Sequence, residues 1–175
     1  PSRSLREFTS VFSDDIETVE VFFANNQILF RSEHISFYTR LLEGNYPDTD
    51  RLIPTEFNTE ATFNVANLRF AMERARLLSN ATQNGTVKLE FKNGVVSSHV
   101  HSPEVGRVNE EIDTSAVSGE DLSISFNPTY LIEALKAIDS EQVVIRFISS
   151  VRPFTLVPEG NEQGFIQLIT PVRTN

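Results

Sequence analysis

One pattern occurs twice in this chain. Phe63-Asn64, followed by Leu68 and Ala71, returns 63 residues later as Phe126-Asn127, followed by Leu131 and Ala134. In both copies an apolar-alternating run precedes the asparagine and an i, i+3 apolar stripe follows it. Each copy therefore marks a strand that turns into an amphipathic helix. Asn127-Pro128 starts one helix with proline near the first helical position, and Asn64 or Asn67 caps the other. The first helix is expected to span 67–80, with Leu68, Ala71, Met72, Ala75 and Leu78 inward. The second is expected over 129–139, burying Tyr130 or Leu131, Ala134, Leu135 and Ile138. Strands at 61–65 and 122–126 lead into the helices. Three strands follow each: 86–91, 95–100 and 106–112, with Asn93-Gly94 as a hairpin turn, then 143–147, 154–157 and 165–169. A chain that spells β-α-β-β-β twice is expected to be an α+β domain, its two helices paired on one face and its antiparallel sheets outside.

Residues 2–42 carry the same order without the leading strand. A helix over 2–13 has Leu5, Phe8, Val11 and Phe12 on one side, and strands follow at 18–24, 27–31 and 35–42. Gly44-Asn45-Tyr46-Pro47-Asp48 breaks the pattern, and residues 50–54 read as an extended connector. The expected organisation is half of one such domain at 1–54 and a complete one at 55–175, with residue 1 at a truncation boundary.

Charge is the second constraint. The net charge of −9 opposes polyanion binding if it is spread evenly. It is not spread evenly. The helical stretches 2–13 and 67–80 hold Arg3, Arg6, Arg69, Arg74 and Arg76 against Glu7 and Glu73. The plain reading is the solvated face of two amphipathic helices. The sharper one is a helix-lined surface that meets phosphates without reading bases, since no aromatic platform accompanies these arginines.

Little else suggests chemistry. His99-x-His101 places two imidazoles on one side of a strand with Glu104 nearby, a metal pair only if a further ligand joins. Asp14-Asp15 reads as a helix stop, and Ser149-Ser150 has no base in view. Neither G-x-S-x-G, a phosphate-binding loop nor a dinucleotide fingerprint occurs. No cysteine is present, which suits a reducing compartment. No apolar run approaches the ~20 residues of a membrane span. A non-enzyme without metal or cofactor is expected, in the cytoplasm.

Several segments match a known family. Gly44-Asn45-Tyr46-Pro47-Asp48 with Arg51-Leu52-Ile53-Pro54, the Arg74–Asn80 helix end, Phe126-Asn127-Pro128-Thr129-Tyr130-Leu131, and Leu168-Ile169-Thr170-Pro171-Val172-Arg173 occur in order and at matching spacing. On these the chain resembles the bacterial DNA sliding clamp, the beta subunit of DNA polymerase III. The resemblance implies the DNA-clamp fold, with 1–54 as the latter half of a middle domain and 55–175 as the third domain. It implies a homodimeric ring that encircles duplex DNA and serves as a processivity factor without catalysis. Arg3, Arg69, Arg74 and Arg76 become candidates for the DNA-facing surface, and Leu77 and Leu78 for the contact between subunits.

The resemblance also implies a cleft for short linear peptides of the polymerase III alpha subunit, the clamp loader and repair polymerases. Its matching residues are Pro47, Arg51 and Leu52, then Asn127 and Tyr130, Val151 and Pro153, and Leu168, Ile169, Thr170, Pro171, Val172 and Arg173. Apolar walls with a few polar groups suit an extended peptide's anchor. The sequence departs from the family at Thr170, often methionine, at Gln83, an aromatic position beside the cleft, and in the extension Thr174-Asn175. A peptide-binding adaptor without a DNA role is the alternative, and a small metal-dependent hydrolase using His99 and His101 is a third.

Overall fold

A computed structural model describes residues 1–12, 15–46, 48–49, 51–79, 85–102, 106–160 and 164–173. The chain divides into two compact units, Pro1–Asp48 and Thr49–Asn175, so the connector at 49–54 groups with the second.

The first unit holds helix α1 (Ser2–Val11) and an antiparallel meander of β1 (Glu20–Phe23), β2 (Gln27–Arg31) and β3 (Ser36–Arg40). Phe8 of α1 packs on Phe12 at 4.5 Å, on Phe30 at 4.6 Å and on Phe37 at 6.2 Å between ring centroids. Of the four apolar residues expected inward on this helix, Phe12 is buried and Phe8 half-buried, whereas Leu5 and Val11 are exposed. The helix ends at Val11, and Ser13 and Asp14 lie outside the described residues.

The second unit runs β4 (Thr59–Asn64), α2 (Val65–Ser79), β5 (Val87–Lys92), β6 (Val95–Ser102), β7 (Gly106–Ile112), β8 (Ala116–Gly119), β9 (Leu122–Phe126), α3 (Pro128–Lys136), β10 (Gln142–Phe147), β11 (Phe154–Pro158) and β12 (Gln167–Ile169). The repeated positions explain themselves. Phe63, Leu68 and Ala71, and their counterparts Phe126, Leu131 and Ala134, are all buried. Asn64 Oδ1 accepts from the Asn67 amide at 3.0 Å, and Asn127 Oδ1 from the Thr129 amide at 2.9 Å. Each satisfies an amide that the first helical turn leaves without a partner, so Asn64 rather than Asn67 is the cap.

The repeats do not form separate sheets. β4, which leads into α2, pairs antiparallel with β10 of the second copy, matching Phe63 to Val143 and Ala61 to Ile145. β9, which leads into α3, pairs with β5 of the first copy, matching Phe126 to Val87 and Ile124 to Leu89. The outcome is a five-stranded sheet, β12-β11-β10-β4-β8, and a four-stranded one, β7-β6-β5-β9, with α2 packed against α3. Residues buried on both sheets and both helices form one core. A chain of rings ties the layers: Phe91 to Phe147 at 4.9 Å, Phe147 to Phe154 at 5.1 Å and Phe154 to Phe126 at 5.1 Å.

Two expectations need correction. The first helix is followed by four strands, because Ala116–Gly119 forms β8 on the edge of the larger sheet, beside β4. Four residues with two small side chains give no readable alternation, and this strand exists through pairing. Gly119, at φ +99°, is its fixed point: a Cβ there would lie 1.9 Å from the Asn58 carbonyl oxygen. The second helix spans Pro128–Lys136 rather than 129–139, with Leu131 buried and Tyr130 exposed.

A candidate peptide groove and the charged faces of the first helix

α3 presents Tyr130, Glu133 and Ala134 on one side, as i, i+3 and i+4 positions must be. Opposite them runs Gln167, Leu168, Ile169 and Thr170. Together these residues line an open groove of about 460 Å³. The Tyr130 ring is 59% exposed, while Ala134 and Ile169 are buried. The groove thus has an apolar floor, one aromatic wall and, among the described residues, one charged group, Glu133. Beyond Thr170 the chain turns to the other sheet, where the Val172 amide donates to the Ser125 carbonyl of β9 at 2.7 Å. That bond fixes the direction of Pro171, Val172 and Arg173.

Of the residues expected in a cleft, Tyr130, Leu168, Ile169 and Thr170 meet in this groove. Glu133, Ala134 and Gln167 join them unforeseen; the i+3, i+4 spacing from Tyr130 pointed to the first two. Asn127 is spent on capping α3, and Val151 (54% exposed) and the half-buried Pro153 sit in the loop between β10 and β11. Arg51 and Leu52 are exposed, with the Leu52 amide closing a turn on the Thr49 carbonyl at 3.0 Å. None of these five lines the groove, and Pro47 lies outside the described residues.

The arginines of α2 do not form one stripe. Arg69 and Arg76 are two turns apart and share a side. Arg69 faces Glu73 at 3.7 Å and lies over the Phe70 ring at 5.3 Å. Arg74 points to the opposite flank, where both Glu110 carboxylate oxygens of β7 accept from it. This hydrogen bond raises the guanidinium pKa above its ordinary value. Arg3 of α1 pairs with Glu7 at 3.1 Å, one turn on. The two leucines part company: Leu77 is 73% exposed, while Leu78 packs against the core.

His99 and His101 are both engaged. His99 Nδ1 is hydrogen-bonded with Asn109 Oδ1 at 2.8 Å and Nε2 with the Ser97 hydroxyl at 2.9 Å, with Glu90 at 3.6 Å. His101 Nδ1 accepts from Arg107 at 3.3 Å. Among the described residues no three potential ligands gather as a metal would need, and Glu104 is outside them. No helix among them is long and apolar enough to cross a membrane.

A two-sheet domain with paired helices, each repeat lending a strand to the other's sheet, and a groove along its last strand, defines the class as a clamp-type protein. The model for the DNA polymerase III beta subunit, C-terminal domain, matches residues 50–173, and the chain belongs to that family. It is 80% identical over 175 residues to the beta sliding clamp of Streptococcus pneumoniae TIGR4, covering all of this chain and 46% of that protein. Against the beta sliding clamp of Lactococcus lactis IL1403 the identity is 55% over 177 residues, covering 100% and 47%. The crystal structure of the DNA polymerase III beta chain from S. pneumoniae TIGR4 superposes with a TM-score of 0.91 at 80% identity, over 99% of this chain and 46% of that one. The chain spans about half the length of these relatives.

Proposed function

We propose that this chain acts as part of a replication sliding clamp, a processivity factor that encircles duplex DNA as a homodimeric ring. It tethers the polymerase III alpha subunit, the clamp loader and repair polymerases through short peptides, in the bacterial cytoplasm at the nucleoid, and catalyses nothing itself. The observation that carries this reading is the convergence of Tyr130 with Leu168, Ile169 and Thr170 on one open groove, in a chain of this family. Arg51, Leu52, Asn127, Val151, Pro153, Pro171, Val172 and Arg173 are the further candidates for the cleft. Calorimetry with a labelled peptide from a cognate polymerase tests it: Tyr130→Ala, or removal of residues 168–175, abolishes binding. Unchanged affinity after both changes refutes the cleft.

In this reading 1–54 is the second half of a middle domain and 55–175 a whole third domain. The internal match supports it: α1 with β1-β2-β3 repeats α3 with β10-β11-β12, each helix leading into a three-strand meander. Arg3, Arg69 and Arg76 are the DNA-facing candidates that remain, and Leu77, exposed where Leu78 packs against the core, is the candidate for the neighbouring subunit.

The adaptor reading, without DNA, draws on one observation: Arg74 is already held by Glu110. Replacing Arg69 and Arg76 by alanine separates the two. The clamp reading requires weaker retention on closed circular duplex by the assembled ring, and the adaptor reading requires none.

A further inference from the structure

The groove beside Tyr130 has a chemistry more particular than that of an apolar cleft. Its floor is aliphatic, from Ala134 and Ile169, and one wall is the exposed Tyr130 ring. Among the described residues that line it, Glu133 is the only charged one. This carboxylate is 62% exposed and bonded to Lys136 at 3.0 Å, and Lys136 is not part of the lining. An exposed i, i+3 pair of this kind is weak and screened by solvent, so a competing cation displaces it at little cost.

An aliphatic trough ending between a carboxylate and an aromatic face fits one kind of side chain: a long methylene stem with a cationic head. We propose that this groove takes a lysine or arginine side chain of the bound peptide, with its stem over Ala134 and Ile169 and its charge between Glu133 and the Tyr130 ring. The inference rests on the peptide-cleft reading and adds to it a charge preference next to the apolar anchors. The groove's volume exceeds that of one side chain, which leaves space for the neighbouring backbone of an extended peptide.

The test uses dye-labelled heptapeptides with a fixed leucine–phenylalanine core, in which each flanking position carries lysine, norleucine or glutamate in turn. Fluorescence anisotropy at low salt is read with the unaltered chain and with E133Q, E133K and Y130A. At one flanking position lysine is expected to bind about threefold to tenfold more tightly than norleucine, and glutamate more weakly than either. E133Q removes that preference and E133K reverses it. A scan insensitive to charge at every position, in peptides that Y130A still releases, overturns this inference and leaves the cleft standing. Failure of every peptide to bind, or binding indifferent to Y130A, overturns both.

Discussion

Gly119 shows how a single residue can hold a strand in place. Its φ of +99° is open to glycine, and the Asn58 carbonyl occupies the space where any side chain would begin. G119A therefore carries two penalties, backbone strain and displacement of β4's entry, and is expected to lower stability by about 2 kcal/mol or more. A reduced urea midpoint at constant slope is the measurement. The two leucines at the end of α2 make a second contrast. L77D leaves the urea midpoint near its original value because Leu77 is 73% exposed. L78D buries a charge against the core and costs several kcal/mol. The family resemblance made these leucines a pair, whereas helical spacing put Leu78 alone on the inward face. Their separation by 100° around the helix decides which of them is free for a neighbour.

The repeated elements were legible because their signal is local. An asparagine that caps, an apolar residue before it and a stripe after it are written within nine positions, and both copies fold as that pattern says. β8 was not legible, since its four residues carry no alternation and its reason for being a strand is the free edge of β4, which no local pattern reports. The groove was half legible. Tyr130 and the last strand were identifiable through the family resemblance, but their meeting with Glu133 and Gln167 depends on α3 and β12 lying side by side. The basic face of α2 was overdrawn from sequence: a count of arginines does not reveal that Arg74 turns away toward β7. The coupling between Arg74 and Glu110 is testable by a double-mutant cycle with alanine. An exposed pair is expected to yield about 1 kcal/mol or less, vanishing in high salt.

At the level of the whole chain, the two units differ in how much they bury. Phe12 is the one buried apolar residue described in the first unit, whereas the second holds a continuous core across both sheets and both helices. Amide exchange followed by mass spectrometry should find β1, β2 and β3 exchanging early, and β4, β5, β9 and β10 only with global unfolding. Equal protection in the two sets would contradict this.

The pairing of β4 with β10 and of β9 with β5 has a consequence for how this domain can come apart. Each copy of the motif donates its opening strand to its twin, so neither twin possesses a finished sheet of its own. A backbone nick between β8 and β9 would leave two fragments that recover their shape only as an obligate heterodimer.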